Sequence, residues 1–191
     1  MEASDIVQML LHGNQLKRTT RTGWAQRGVA QDENVAAHSY GVAFTALILA
    51  QRIEAPLDLG RLLSLAILHD LPEALTSDIP SPAWRYLEID VKPQMELAAL
   101  HDIVGGTPLE ATFLGWWQEL QDNKSVEARL VHDADKIDLY LQATVFEEQT
   151  GNRHLAHFWE RNQTFHFAVS ETLYEYLRER RASRLHPPND G

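Results

Sequence analysis

Nine His residues stand in a chain of 191 residues in which 27 Asp plus Glu outnumber 17 Lys plus Arg. His is followed directly by Asp three times, at His69-Asp70, His101-Asp102 and His132-Asp133. An imidazole beside a carboxylate offers one nitrogen and one oxygen donor to a divalent cation. Composition alone predicts fewer than one such pair, so context must choose among the three. His69-Asp70 closes the apolar run Leu62 to Leu68 and precedes Leu-Pro-Glu73. Two polar side chains at the buried end of an apolar helix are costly unless each has a partner, and one ion partners both. The other two pairs lie in mixed polar surroundings, where solvent accounts for them.

Two further residues break an apolar pattern. His38 falls between Val35 and Val42 on the spacing Val35, Val42, Ala46, Leu49, Ile53, which marks one buried helix face. Taken alone, it reads as a core His bonded to a backbone carbonyl. Asp135, within His132-Asp-Ala-Asp-Lys-Ile-Asp138, taken alone reads as surface charge. Together with His69 and Asp70 they make two imidazoles and two carboxylates on separate helices, and facing helices of a bundle are where such mixed metal sites are built. Two nitrogen and two oxygen donors without sulfur suit Mn, Fe, Co, Ni or Zn better than Ca or a structural zinc site. Four protein ligands leave an octahedral ion two positions for water and substrate. The ligand imidazoles must be neutral to bind, so activity is expected to fall below about pH 6.

The elements that must position these residues read as helical almost throughout. A helix from Val35 reaches about Ile53. Asp58 caps a second that carries Leu62, Leu65, Ala66 and Leu68 and stops near Pro72. Thr76 to Pro82, with two prolines and four capping-type residues, reads as a rigid loop. Met95 to Val104 forms a helix ended by Gly105-Gly106, with a restart after Thr107-Pro108. A long helix runs from about Ser125 to Gln149 with Ala134, Ile137, Leu141 and Val145 on its core stripe, and Gly151-Asn152 breaks it. A last helix spans about Thr164 to Arg181. Aromatic pairs at Trp116-Trp117 and Phe158-Trp159 fit core better than interface. No segment alternates with period two. The expectation is one all-α domain over residues 1–184, a bundle of about six or more helices around a central metal site, with a disordered tail at 185–191.

Several chemistries are excluded. Cys is absent, which removes disulfides, thiolate metal sites and Cys nucleophiles. There is no Gly-rich phosphate loop, no Gly-x-Ser-x-Gly and no His-Glu-x-x-His. A formal charge of −10 disfavours a nucleic-acid polymer as partner and leaves small phosphorylated ligands open. The acidic start Met-Glu-Ala-Ser-Asp is unlike a targeting peptide, and no apolar stretch approaches the ~20 residues of a membrane span. A cytoplasmic location is expected.

His38, His69-Asp70 and Asp135, in that order, reproduce the H…HD…D pattern of the HD-domain metal-dependent phosphohydrolases. The strings Glu33-Asn-Val-Ala-Ala-His38-Ser, Leu68-His-Asp-Leu-Pro-Glu73-Ala, Thr76-Ser-Asp78-Ile-Pro80 and Asp133-Ala-Asp135-Lys-Ile-Asp-Leu-Tyr-Leu-Gln142-Ala resemble the branch of the 5′-deoxynucleotidases and HD domain-containing protein 2. Leu16-Lys-Arg-Thr-Thr-Arg21-Thr-Gly-Trp24 resembles it too, so the likeness covers about residues 14 to 150. It implies His38, His69, Asp70 and Asp135 as ligands of one divalent ion (Mn, Co, Fe, Ni, Zn or Mg). It implies Glu73 and Asp70 as catalytic, with Glu73 handling the proton of the attacking water or of the leaving oxygen. Asp78 would meet the sugar, Trp24 would line the substrate pocket, and a homodimer is implied.

One departure stands out: nucleotidase members tend to have Arg directly before that Trp, and here it is Gly23. Arg18 and Arg21, or else Arg27, would hold the phosphate instead. The implied activity is hydrolysis of deoxynucleoside 5′-monophosphates to deoxynucleoside and phosphate. Three alternatives stay open: another phosphomonoester or a phosphodiester on two metals, for which His101 and His132 supply extra imidazoles; a non-catalytic nucleotide-binding sensor; and a structural helical protein. Each extra position also has an ordinary reading: Glu73 at a helix start, Asp78 in a turn, Trp24 in the core, and Lys17, Arg18, Arg21 and Arg27 on a solvated face.

Overall fold

The computed structural model describes residues 1–30, 33–160 and 162–185, with residue 185 described by its backbone only. Ten α-helices and one 3₁₀ segment occupy them: α1 Ala3–Gln15, α2 Thr22–Ala25, α3 Val35–Ala50, α4 Leu59–Leu68, α5 Glu73–Thr76, α6 Ser81–Trp84, α7 Val91–Val104, α8 Glu110–Asp122, α9 Val126–Thr150, the 3₁₀ segment Arg153–Glu160, and α10 Ala168–Leu185. Among the described residues there is no strand, only an isolated bridge between Thr20 and Asn34. The fold is all-α, as expected. No helix is long and apolar enough to cross a membrane among the described residues.

Capping side chains start the three helices that matter most. Asn34 Oδ1 accepts from Ala37 N at 2.9 Å, Asp58 Oδ1 from Arg61 N at 3.0 Å, and Ser125 Oγ from Ala128 N at 3.0 Å. Each satisfies an N–H that the first turn leaves unpaired. Helix α9 ends where Gly151 adopts φ 64°, a left-handed conformation that costs glycine little. Helix α3 crosses the centre of the molecule against α4 and α9. Val42, Ala46 and Leu49 of α3 meet Leu62, Leu65 and Ala66 of α4 and Leu130, Val131 and Ala134 of α9 in the main core. A second core joins Trp24, Ile137, Tyr140 and Phe146 to Leu155, Trp159 and Tyr174, and a third joins Leu16, Val35 and Leu71 to Leu100, Val104 and Trp117. The second members of both aromatic pairs, Trp117 and Trp159, are buried, as a core reading predicts.

The structure departs from the sequence expectations at several points. Helix α3 stops at Ala50 rather than Ile53, and α1, α2 and the 3₁₀ segment were not anticipated. Helix α7 begins at Val91, four residues early, because Pro93 lies in its first turn where no N–H is needed. The loop expected at 76–82 contains the end of α5 and the start of α6, leaving Ser77 to Pro80 as the connection. Leu141 and Val145 are 41% and 40% exposed, off the core stripe. Tyr140, Ala143 and Phe146 take that role because the 3₁₀ segment and α10 cover their side of α9. Helix α10 starts at Ala168, not Thr164, because the Asp133 carboxylate accepts from His166 N and Phe167 N at 2.9 and 3.0 Å. Asp133 is therefore fully buried, and solvent does not account for the His132-Asp133 pair. Helix α10 carries the chain to Leu185, and the expected tail beyond it, 186–191, lies outside the described residues.

Candidate metal centre

Three helices deliver the candidate ligands. His38 stands one turn into α3 and is completely buried. His69 is the residue that closes α4, and Asp70 follows it. Asp135 lies in the middle of α9, which packs along α3. His38 Nε2 is 3.1 Å from Asp135 Oδ1 and 3.7 Å from Asp70 Oδ2, and His69 Nε2 is 3.2 Å from Asp70 Oδ2. Ligand atoms of His38, His69 and Asp135 all lie within 4.8 Å of one another. Metal–ligand bonds of ~2.0–2.2 Å set adjacent donors about 3 Å apart, so these spacings suit one ion. His38 and His69 are separated by 31 positions and Asp135 by 66 more; the fold brings them together.

The polarity of the two imidazoles tests the fit more sharply. His38 Nδ1 meets Asp138 Oδ2 at 2.8 Å, and His69 Nδ1 donates to the Ala66 carbonyl at 2.8 Å. Both Nε2 atoms are buried with no hydrogen-bond partner. An orphaned buried nitrogen costs free energy, and two of them facing the same carboxylates is what a cation would repair. With Nδ1 tied, Nε2 is the nitrogen that offers its lone pair. The donor set therefore fits a divalent metal. Its open side is at Asp135, whose side chain is 40% exposed, against 18% for Asp70 and 1% for His38.

Electrostatics around the ligands are strong. Burial opposes ionisation of Asp70, but His69, His38 and Arg21 outweigh it and hold its carboxyl well below the usual range. Asp135 is likewise held down to about 2, burial being overcome by His38 and His69. Burial alone would lower the His38 imidazole, yet Asp135 and Asp138 raise it to about 10. Glu73, buried in the first turn of α5 with Oε2 unpartnered, is pushed up to about 9 by burial and by Asp70 and Asp78. It is a protonated acid at neutral pH.

The other expected site residues separate into two groups. Arg21 reaches the cluster: its Nη1 is 3.5 Å from Asp70 Oδ2, and the guanidinium feels Asp70, Asp135, Asp78 and Glu73. Its segment is tied beside the start of α3 by Arg21 N donating to Glu33 O at 3.0 Å and Val35 N to Thr19 O at 2.9 Å. Asp78 is pinned by Thr22, whose N and Oγ1 donate to its Oδ2 at 2.7 and 3.0 Å. Arg18 is not brought in; it is exposed, and its Nε donates to Gln15 Oε1 at 3.1 Å. Trp24 is enclosed rather than exposed to a cleft. It is 1% exposed, packed on Phe146 and Phe158, and its Nε1 donates to Glu33 Oε2 at 3.1 Å. The substrate-binding expectations for Arg18 and Trp24 thus fall on an exposed side chain tied to Gln15 and on an enclosed one.

His101 faces Glu110 at 3.4 Å and His132 Nε2 meets Leu120 O at 2.9 Å, so neither supplies a second metal. Sequence reasoning missed three charged neighbours. Asp138 follows Asp135 by three residues on the same helix face, a spacing that flags it. Glu33 had no such signal. Lys92 pairs with Glu96 at 2.6 Å, and although burial would lower its ammonium, Glu96 and Asp70 hold it above the usual range.

The HD domain family model matches residues 13–173. A 5′-deoxynucleotidase HDDC2 of Danio rerio is 30% identical over 185 residues, covering 95% of this chain and 90% of that protein. The human 5′-deoxynucleotidase HDDC2 is 32% identical over 148 residues, covering 76% and 70%. Among solved structures, a conserved hypothetical protein of Pyrococcus furiosus superimposes with TM-score 0.74 at 32% identity, over 92% of this chain and 99% of that one. The matched span holds His38, His69-Asp70 and Asp135 in that order, and the chain belongs to the HD-domain family of phosphohydrolases.

Proposed function

We propose that this protein is a metal-dependent phosphomonoesterase that hydrolyses deoxynucleoside 5′-monophosphates to deoxynucleoside and phosphate. The observation that carries the reading is the pair of buried, unpartnered Nε2 atoms of His38 and His69 set against the carboxylates of Asp70 and Asp135. Those four side chains would hold one divalent ion, from among Mn, Co, Fe, Ni, Zn and Mg. When bound, the ion supplies Lewis acidity to water and to the phosphoryl group. The substrate class comes from the curated relatives, which are named 5′-deoxynucleotidases.

The chain's own residues divide the remaining work. Arg21, permanently charged and next to Asp70, binds a phosphate oxygen through charge-assisted hydrogen bonds. It takes over, from two positions further upstream, the part that Gly23 cannot play. Asp78 meets the sugar: Thr22 occupies its Oδ2, while among the described residues Oδ1 accepts no hydrogen bond and is available to a hydroxyl. Glu73 enters protonated and is the acid. The oxygen of water bonds to phosphorus, the P–O5′ bond breaks, Glu73 gives its proton to O5′, and a proton of the attacking water restores it. General acid–base assistance of this kind contributes typically 10²–10⁴-fold. A chain of formal charge −10 favours such a small anion, met by a local cation, over a polyanion.

A phosphate-release panel of ribo- and deoxyribonucleoside monophosphates, run with Mn²⁺, Co²⁺, Mg²⁺ and with chelator, tests the reading. Release from deoxynucleoside 5′-monophosphates that stops with chelator is expected. Binding without release, or release from unrelated phosphomonoesters at equal rates, would overturn it.

A further inference from the structure

Helix α3 has a glycine in its interior, Gly41, three residues after His38. A Cβ built there would lie 2.1 Å from Asp138 Oδ1 and 2.9 Å from Asp138 Oδ2. No other heavy atom outside the local helix is as close: all three nearest atoms belong to that one carboxylate. The same carboxylate meets His38 Nδ1 at 2.8 Å, and His38 is fully buried, so no solvent route offers Nδ1 another partner. Glu33, from the turn before α3, also brings a carboxylate oxygen within 4.8 Å of His38 and Asp138. That oxygen-bearing side chain is already engaged by the Trp24 indole at 3.1 Å. Asp138 is thus the acceptor, and Gly41 is the hole that admits it.

We infer that Gly41 and Asp138 form a positioning device for His38: the missing side chain at 41 lets the Asp138 carboxylate lie against α3 and fix the imidazole so that Nε2 points at the metal. The inference rests on the metal reading above. A carboxylate on the far nitrogen of a ligating His orients the ring and raises its basicity, and removing such a partner typically weakens metal binding 10–100-fold. The two residues make the claim separable from simple stability. Gly to Ala inside a helix ordinarily stabilises. Here the added carbon meets the movable end of a side chain rather than backbone, so the helix survives and the carboxylate is what moves.

The test is Co²⁺ affinity, by competition with a chromophoric chelator, and the visible spectrum of the Co²⁺ protein, with thermal unfolding recorded beside them. Gly41→Ala and Asp138→Ala should each weaken Co²⁺ binding about 10–100-fold and alter the spectrum, with Gly41→Ala unfolding no earlier than the parent. Asp138→Asn, which keeps an acceptor oxygen without the charge, should fall between parent and Asp138→Ala. Gly41→Ala placed on Asp138→Ala should cost nothing further, since the atom it displaces is gone. Parent-like Co²⁺ affinity in both single variants, or full additivity in the double variant, overturns the positioning role alone. If the parent takes up no Co²⁺, the metal reading falls and this role falls with it.

Discussion

Replacing Glu73 with Gln in chelator-treated protein should make the molecule more stable at neutral pH while removing its acid. Glu73 is 5% exposed, one of its oxygens has no partner, and two carboxylates, Asp70 and Asp78, face it. Its carboxyl ionises at about 9 in the folded chain against 4.5 for an unperturbed Glu. Between those values the folded state holds a proton that the unfolded chain has released. Stability from this group is therefore fully present below pH 4.5 and is lost as pH rises towards about 9. Each pH unit inside the window is worth about 1.4 kcal/mol, so by pH 7 the group has removed roughly 3 kcal/mol. Gln is close in shape and never ionises, so the variant escapes the loss. Asp70 and Asp135 act with the opposite sign, since their depressed values stabilise at neutral pH and weaken the fold as pH falls. They are common to both proteins and cancel in the difference. Urea unfolding of parent and variant, with chelator at several pH values from 5.5 to 8.5, reads the quantity directly. The expected result is a stability gain growing by about 1.4 kcal/mol per pH unit, with about 6–12 °C in Tm near pH 7. Phosphate release should drop by 10²–10⁴ in the same variant. A gain that does not change with pH, or a variant less stable throughout, would refute the placement of a protonated Glu73 in this cluster.

Other perturbations follow from the same geometry. Arg21→Ala should lower kcat/KM about 30–150-fold, the loss of one charge-assisted bond of roughly 2–3 kcal/mol, while Arg18→Ala, which only frees Gln15, should stay near parent values; equal effects from both would remove the distinction. Asp78→Ala should narrow the ratio of deoxyribo to ribo substrate rates, measured on matched nucleotide pairs; an unchanged ratio would take the sugar away from Asp78. Metal uptake should be strongly pH-dependent, because His38 is raised to about 10 and the metal must displace its proton. Affinity should then climb about tenfold per pH unit from 7 to 9 for each proton displaced, with proton release detectable in unbuffered solution; flat affinity over that range would contradict it. Ser77 holds φ 61° and ψ 165°, a conformation almost reserved for glycine, directly before Asp78. Ser77→Gly should raise unfolding stability by about 1 kcal/mol, and no gain would mean the strain is absent.

The candidate metal set stood out in the sequence because each member broke a local pattern that has a physical reason behind it. His38 sat where α3 wanted an aliphatic side chain, and it is indeed completely buried. His69-Asp70 closed an apolar run, and the capping residue Asp58 marked where that helix began. The division between Arg18 and Arg21 was not legible, since both lie in a non-repeating segment whose path is set by backbone bonds to Glu33 and Val35. Asp133 and Asp135 are two residues apart on one helix, yet one binds the backbone just ahead of α10 and the other faces His38. Only the position of α10, a long-range contact, tells them apart. For the same reason Leu141 and Val145 could not be read as exposed: the stripe is a property of one helix, and burial depends on what covers it. The pH expectation also moved, because the unperturbed imidazole value ignores the two carboxylates around His38.

The most direct test is anomalous diffraction from crystals of the protein loaded with Mn²⁺ or Co²⁺, recorded beside Asp135→Ala. The account predicts one strong peak per chain within about 2.0–2.3 Å of His38 Nε2, His69 Nε2 and carboxylate oxygens of Asp70 and Asp135, and no peak there in the variant. A peak bound elsewhere in a protein that still releases phosphate, or an undiminished peak in Asp135→Ala, would contradict it.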